Sequence, residues 1–443
     1  MRLLSKLSIY CAVFASVAGN AGAQVTDTVE EFKPSGKLWG YTFGDYAYKS
    51  STDNISPTTI PIYRGGVNQY TGMPANTNMF QFRRIYLGYN YDISRRFSAE
   101  FLLAAEDNFN NGLVSQGGGD LTVDGKFAPY VKLANIRWKN LWRNTDLVIG
   151  SQSTPSFAKT GRNDQTAEEI WAYRSVERTI TDIRRTLSFD LGASLQGWFD
   201  HEGRFGYDVM VSNGTGARPE IDQYKLFSGD IYGKFFDRRL VVNIYQNYQR
   251  LNWGVRVAGY NGPRYHDQNM TKVFAAWNTK LLTVGAEAFM NTLMADVEVT
   301  GKDNNKYYRT TKAMGMSFFV RGRILSNENG NALLSYFARY DNYDPTGNLS
   351  NIAGEANTRT YTGTTLTYEP TTKEQFITLG LDFTPYKNIH FMPNVWMNTY
   401  TSALSANGAN TYGTPYSGMN GNVSGVNGTD MVYRLTFYYV YGK

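Results

Sequence analysis

The sequence predicts an all-β chain: a transmembrane antiparallel β-barrel of about sixteen strands, with short periplasmic turns and long extracellular loops. Three observations lead there. Segments of roughly ten residues with two-residue alternation recur down the chain, as strands with one lipid face and one wet face require. The breaks between them alternate between tight and long. Aromatic residues make up 15 % of the chain, with 33 Tyr, 25 Phe and 8 Trp. Such a content suits the aromatic girdles of a barrel in lipid better than a fold bathed in water.

Residues 1–23 read as a secretory leader: Arg2 and Lys6, an apolar run from Leu7, then the small-residue exit Ala21-Gly22-Ala23. The run is short for a membrane anchor and is interrupted by Ser8 and Ser16. Cys11, the one cysteine, leaves with the leader, so disulfides, a thiol nucleophile and cysteine-bound metal are not expected. Losing Arg2 and Lys6 lowers the formal net charge of +6 by two, too mild for a nucleic-acid binder. Residues 24–35 form a short periplasmic segment, and 36–443 a single barrel domain. No later stretch is apolar for 18 residues, so helical spans are not expected.

Strands are expected near 36–49, 78–93, 97–105, 128–138, 146–151, 187–200, 205–214, 223–236, 240–251, 269–279, 281–291, 311–323, 331–343, 373–384, 389–400 and 430–441. Fourteen or eighteen strands remain compatible with the pattern. Ser94-Arg95-Arg96, His201-Glu202-Gly203-Arg204, Asp237-Arg238-Arg239 and Tyr386-Lys387-Asn388 are tight turns. Long connections lie near 50–77, 106–127, 152–186, 252–268, 292–310, 344–372 and 401–429, with a shorter one at 215–222. Tight turns on one rim and long loops on the other put both chain ends on the periplasmic side. Pro393 cannot donate to a ladder and predicts a bulge or a rim position.

Facing follows from charge. A charge toward lipid at mid-depth costs ~2–4 kcal/mol, so the charged face of each strand points inward. In MVYRLTFYYVYGK, Tyr433, Leu435, Phe437, Tyr439 and Tyr441 then face lipid, and Arg434 faces the lumen. Sixteen strands leave a water-filled lumen. Its expected basic lining is Arg84, Arg137, Lys234, Lys272, Arg321, Arg323, Arg339 and Arg434. The acidic lining is Asp92, Glu100, Asp190, Asp208, Asp230, Glu287, Asp341 and Asp382. Neither sign prevails.

The connection at 152–186 is the constriction candidate. In TAEEIWAYRSVERTITDIRR, Ile170, Trp171, Val176, Ile180 and Ile183 recur at near-helical spacing and need something to pack on. Folded into the lumen, Lys159, Arg162, Arg174, Arg178, Arg184, Arg185, Glu168 and Glu169 would set the field of the pore. The alternative is a solvated surface loop. Enzymatic and metal chemistry is not expected: His201, His266 and His390 are isolated, and none has a second ligand at metal spacing. No cofactor is expected.

Several stretches resemble a known family. FQFRRIYLGYNYDISRRFSAEFLLAAED carries an F-x-x-R-R-x-x-L-G pattern at Phe80, Arg83, Arg84, Leu87 and Gly88. It resembles the early hairpin of the phosphate- and polyphosphate-selective (O and P) porin family. YVKLANIRWKNLWRNTDLVIGSQSTPSF and WAYRSVERTITDIRRTLSFDLGASLQGWF look like the corresponding parts of its Bacteroidota-type members. GKFFDRRLVVNIYQNY and HFMPNVWMNTY are similar to later strands. The resemblance implies a sixteen-stranded, usually trimeric outer-membrane channel with a constricting loop. Its partners would be membrane lipid, lipopolysaccharide, the barrel-assembly machinery during insertion, and small polar or anionic solutes. The balanced lining and the ending Tyr441-Gly442-Lys443 depart from the family, and phosphate specificity is not carried over. A substrate-specific or closed barrel acting in uptake or surface binding is the other reading.

Overall fold

The computed structural model describes residues 32–51, 75–106, 122–123, 126–127, 129–157, 187–216, 219–220, 222–252, 265–300, 306–344, 357–361, 364–367, 373–401 and 427–442. The expected leader and most long loops, including 158–186, lie outside them.

Among the described residues, twenty strands run in chain order. Sixteen build the wall: β1 (Ser35–Ser51), β2 (Thr77–Asp92), β3 (Phe97–Glu106), β6 (Tyr130–Trp142), β7 (Thr145–Ser153), β8 (Phe189–Trp198), β9 (Phe205–Ser212) and β10 (Leu226–Phe235) come first. β11 (Leu240–Asn252), β12 (Tyr265–Asn278), β13 (Leu282–Thr300), β14 (Lys306–Ser326), β15 (Ala332–Asp344), β18 (Lys373–Tyr386), β19 (Ile389–Thr401) and β20 (Asn427–Tyr441) complete it. The short pieces β4 (Thr122–Val123) with β5 (Lys126–Phe127), and β16 (Asn357–Tyr361) with β17 (Thr364–Thr367), are hairpins inside loops.

Each wall strand pairs antiparallel with the next, and β1 pairs with β20 in the register Asp45↔Thr436 and Ala47↔Arg434. The sheet therefore closes on itself, and the wall has no free edge. The alternation holds along β18 and β20. Tyr433, Leu435 and Tyr439 are exposed on the outside, while Val432, Arg434 and Thr436 are buried toward the lumen. On β18, Ile377, Leu379, Leu381 and Phe383 face out, and Thr378 and Asp382 face in.

Three local expectations need correction. The stretch 292–310, read as a loop, is largely strand: β13 and β14 continue their pairing from Val297↔Arg309 to Thr300↔Lys306 after an irregularity. Polar composition hid this extension. The next long connection contains the β16–β17 hairpin, which adds to β13 at Glu298↔Thr358. Pro393 sits within β19 and pairs in register with Leu435. On its other side the ladder passes from Gly380↔Asn394 to Phe383↔Phe391 without a shift in register. The missing N–H interrupts that ladder while the pairing on both sides stays in register.

Two bulges matter more. The β1–β2 ladder runs Phe43↔Arg84 and then Gly44↔Phe82, leaving Arg83 as an inserted residue. The β3–β6 ladder runs Leu102↔Leu133 and then Leu103↔Val131, which inserts Lys132. An inserted residue breaks the two-residue period, so neighbours can share a face. Arg83 and Arg84 are both buried, as are Lys132 and Leu133.

Candidate functional site

The lumen wall is built first around the closing strand pair. Asp45 is fully buried and accepts a hydrogen bond from the Thr436 hydroxyl. Arg434 and Arg83 each lie 3.5 Å from its carboxylate. Arg434 also donates to Asn394 Oδ1 at 2.9 Å through Nε, and its guanidinium lies 3.8 Å from the centre of the Trp396 ring. The Arg83 guanidinium lies 5.1 Å from the centre of the same Trp396 ring and 5.4 Å from that of Phe43.

A second group adjoins through β2, β3 and β6. Glu106 takes Lys132 at 2.5 Å and Arg84 at 3.8 Å, and accepts the Tyr130 hydroxyl at 3.1 Å. Lys132 donates to the Tyr86 hydroxyl at 2.6 Å. Four cations, Arg83, Arg84, Lys132 and Arg434, thus line one arc with Asp45 and Glu106. Aromatic and apolar side chains fill the space between them, with Tyr41, Phe43, Tyr86, Leu102 and Leu133 in one buried cluster. The outcome is a wall both ionic and aromatic, whereas the alternation led us to expect only the ions.

The remaining candidates divide by role. Arg137 pairs with Asp146 at 3.0 Å and donates to Gln196 at 2.8 Å. Arg339 binds Asp341 at 2.8 Å. Arg321 is half-buried on the inward face of β14. Arg323 lies nearer the short-turn rim and donates to the Gly330 carbonyl at 2.9 Å, bracing a turn. Asp190 accepts backbone N–H groups of Leu191, Gly214 and Gly216, so it anchors the β9–β10 connection. Lys159, Arg162, Glu168, Glu169, Arg174, Arg178, Arg184 and Arg185 lie outside the described residues.

The root of their loop is described, and it leaves the wall. Thr154 and Ser156 both donate to the Leu187 carbonyl, tying the outgoing and returning limbs together. Ser156 and Phe157 are buried, and Lys272, on β12, donates to the Ser156 carbonyl. Its ammonium lies 5.9 Å from the centre of the Phe157 ring. β7 and β12 are five positions apart around the wall, so the contact crosses lumen space.

Sequence reasoning missed Arg83 and Lys132, although both carried a signal. Each is a cation out of phase with the charged face of its strand. A lipid-facing cation costs ~2–4 kcal/mol at mid-depth, so an out-of-phase charge points to a bulge. The His390 ring does not form a catalytic relay: Asp382 at 2.9 Å and Thr384 at 3.2 Å both meet Nδ1. A relay would use both ring nitrogens. Among the described residues, no group of three or more His, Cys, Asp or Glu could hold a metal ion.

Comparison with solved structures agrees with the barrel architecture. The outer membrane channel DcaP of Acinetobacter baumannii is similar over 94 % of this chain and 100 % of its own, at 10 % identity and TM-score 0.54. An anion-selective porin from Comamonas acidovorans is similar over 92 % and 100 %, at 12 % identity and TM-score 0.50. The trimer form of in-vitro folded OmpT, an outer membrane protein of Vibrio cholerae, covers 93 % and 100 %, at 10 % identity and TM-score 0.50. The fold is porin-like. No family model matches the chain, and no curated protein matches it by sequence. At these identities the likeness is one of architecture.

Proposed function

We propose that the chain is an outer-membrane porin, a passive channel for small hydrophilic solutes. One observation carries the reading: a closed sixteen-strand wall with apolar side chains outward and paired ionisable side chains inward. A soluble barrel would not turn Leu379, Leu435 and Phe318 to water while burying Arg434 and Lys272. Export behind a cleaved leader at 1–23 and assembly as a homotrimer complete the proposal. The A. baumannii channel and the V. cholerae trimer support it by analogy.

The charge layout mixes both signs around the lumen. Cations Arg83, Arg84, Lys132 and Arg434 line the arc from β20 to β6 beside Asp45 and Glu106, while Asp208 and Asp230 stand on β9 and β10 and Lys272 on β12, eight strands round from β2. Both signs around the wall suit polar, hydrated solutes and leave a weak net preference between small ions. The resemblance to phosphate- and polyphosphate-selective porins and the anion-selective Comamonas porin favour anions along the basic arc. The loop bearing Arg162, Arg174 and Arg178 narrows the pore in this reading, supported by its root reaching Lys272.

The experiment is insertion of purified, heat-modifiable protein into a planar bilayer. Steady ohmic steps are expected, with a reversal potential close to zero in a salt gradient. Folded protein that inserts without conductance would overturn the channel in favour of a closed barrel.

A further inference from the structure

The turn between β10 and β11 is built unlike the other described turns. Asn76, Asn140, Asn144 and Asn388 adopt positive φ, and asparagine tolerates that region. The only other non-glycine residues there, among those described, are consecutive: Phe236 at 51°, Asp237 at 55° and Arg238 at 65°. A side chain held in this region costs ~1–2 kcal/mol per residue. Glycine at 238 would adopt this conformation without that cost. The chain instead carries an arginine, so the side chain has a use that offsets its conformational cost.

The surroundings indicate that use. Phe236 is 66 % exposed, its ring 5.7 Å from Trp277 on β12, at the foot of the outward apolar band. Arg238 reaches the neighbouring turn and donates to the Glu202 carbonyl at 2.6 Å, which leaves most of its fork open. Arg239 and Lys280 are exposed, and among the described residues no ion pair engages either side chain. Their two turns are joined by the Asn278 N–H donating to the Arg239 carbonyl at 2.7 Å. Leu281, beside Lys280, is 66 % exposed. Bare apolar groups therefore sit on one arc of the short-turn rim beside three cations, Arg238, Arg239 and Lys280, which outnumber the one carboxylate of their turns, Asp237.

We propose that this arc binds the headgroup of an anionic glycerophospholipid. Phe236 and Leu281 lie among the acyl chains, and Arg238, Arg239 and Lys280 meet the phosphodiester. A free phosphate would need the cations but not the exposed Phe236 and Leu281. The site rests on the membrane reading above, which puts the short turns at the phospholipid leaflet. It does not depend on an open pore.

The test uses delipidated full-length barrel in detergent, with lipid retention read by native mass spectrometry. Phosphatidylglycerol should be retained over phosphatidylcholine. Arg238→Gly should lower that retention about fivefold, since a cation near an anionic lipid surface is worth ~1 kcal/mol. The same substitution relieves the turn, so the heat-unfolding midpoint should hold or rise. The triple change Arg238→Gly, Arg239→Gln, Lys280→Gln should abolish the lipid preference while channel conductance persists. An unchanged preference in the triple variant would overturn the site. So would a lowered midpoint with unchanged retention in Arg238→Gly, which would make the arginine structural. Release of phosphatidylglycerol by millimolar inorganic phosphate would reassign the cations to free phosphate and overturn the lipid proposal. Selective retention by a barrel that never conducts would remove the channel reading and leave the lipid site standing.

Discussion

Arg434 and Asp45 meet across the strand pair that closes the barrel, 3.5 Å apart and with both side chains fully buried. They are 389 residues apart in sequence, so their contact exists only once the first and last strands pair. Asp45 also faces Arg83 at 3.5 Å. One carboxylate thus offsets two buried cations at the seam.

Asp45→Ala is therefore expected to weaken closure sharply. Removing one partner of a buried ion pair costs ~3–5 kcal/mol, because the charge left behind keeps its desolvation penalty. The loss should appear as a lower temperature for the gel-mobility shift of the folded barrel. Asp45→Asn with Arg434→Gln should cost less than the sum of the single changes. Full additivity would mean that the two groups do not interact.

Depth is tested by placing a charge outside. Leu379, on the outward face of β18, is exposed near the middle of its strand, and Tyr386 is exposed at the strand's end. Leu379→Lys should destabilise the folded barrel in bilayers by ~2–4 kcal/mol, and Tyr386→Lys by no more than ~1 kcal/mol. Equal effects measured by denaturant titration in vesicles would contradict a mid-depth position for Leu379.

These expectations depend on features of very different legibility. The strand number and the tight-turn phase were readable because lipid on one side and water on the other force strict alternation. Facing was readable for Arg434, Arg339 and Asp382 for the same reason. It failed at Arg83 and Lys132, where one inserted residue shifts the parity. Trp396 and Phe43 also escaped, because an inward aromatic carries no alternation signal of its own. Only assembly of the wall brings them over the guanidiniums of Arg83 and Arg434.

The bulged cations should be felt by permeating ions. Arg83→Gln with Lys132→Gln should move the reversal potential in a salt gradient toward cation preference. Lys139→Gln should move it less, since Lys139 sits at the short-turn end, 2.5 Å from Asp92. Indistinguishable potentials in the two variants would remove Arg83 and Lys132 from the conduction path.

Acid should loosen one turn before the wall. The Phe205 N–H, chiefly, and then Arg204 hold the Asp200 carboxyl below its ordinary range. A depressed folded value contributes stability above the unfolded value, and this is lost as pH falls through the folded value. Amide exchange at Phe205 should therefore accelerate below the ordinary carboxylate range, and Asp200→Asn should flatten the dependence. An equally steep profile in the variant would assign it to another group.

Lys272 offers the most direct handle on the lumen. It is fully buried on β12, 3.7 Å from Glu287, and donates to the Ser156 carbonyl at the root of the β7–β8 connection. That segment is also tied to its own returning limb through the Leu187 and Ser188 carbonyls. Lys272→Met keeps much of the side-chain volume and removes the donor. If the root holds the connection across the lumen, the variant should give larger or noisier single-channel steps, alongside the stability loss expected when the buried Lys272–Glu287 pair is broken. Glu287→Gln serves as the control, because it alters the nearby charge and leaves the Ser156 contact in place. Identical conductance in all three proteins would mean that the root does not limit the pore.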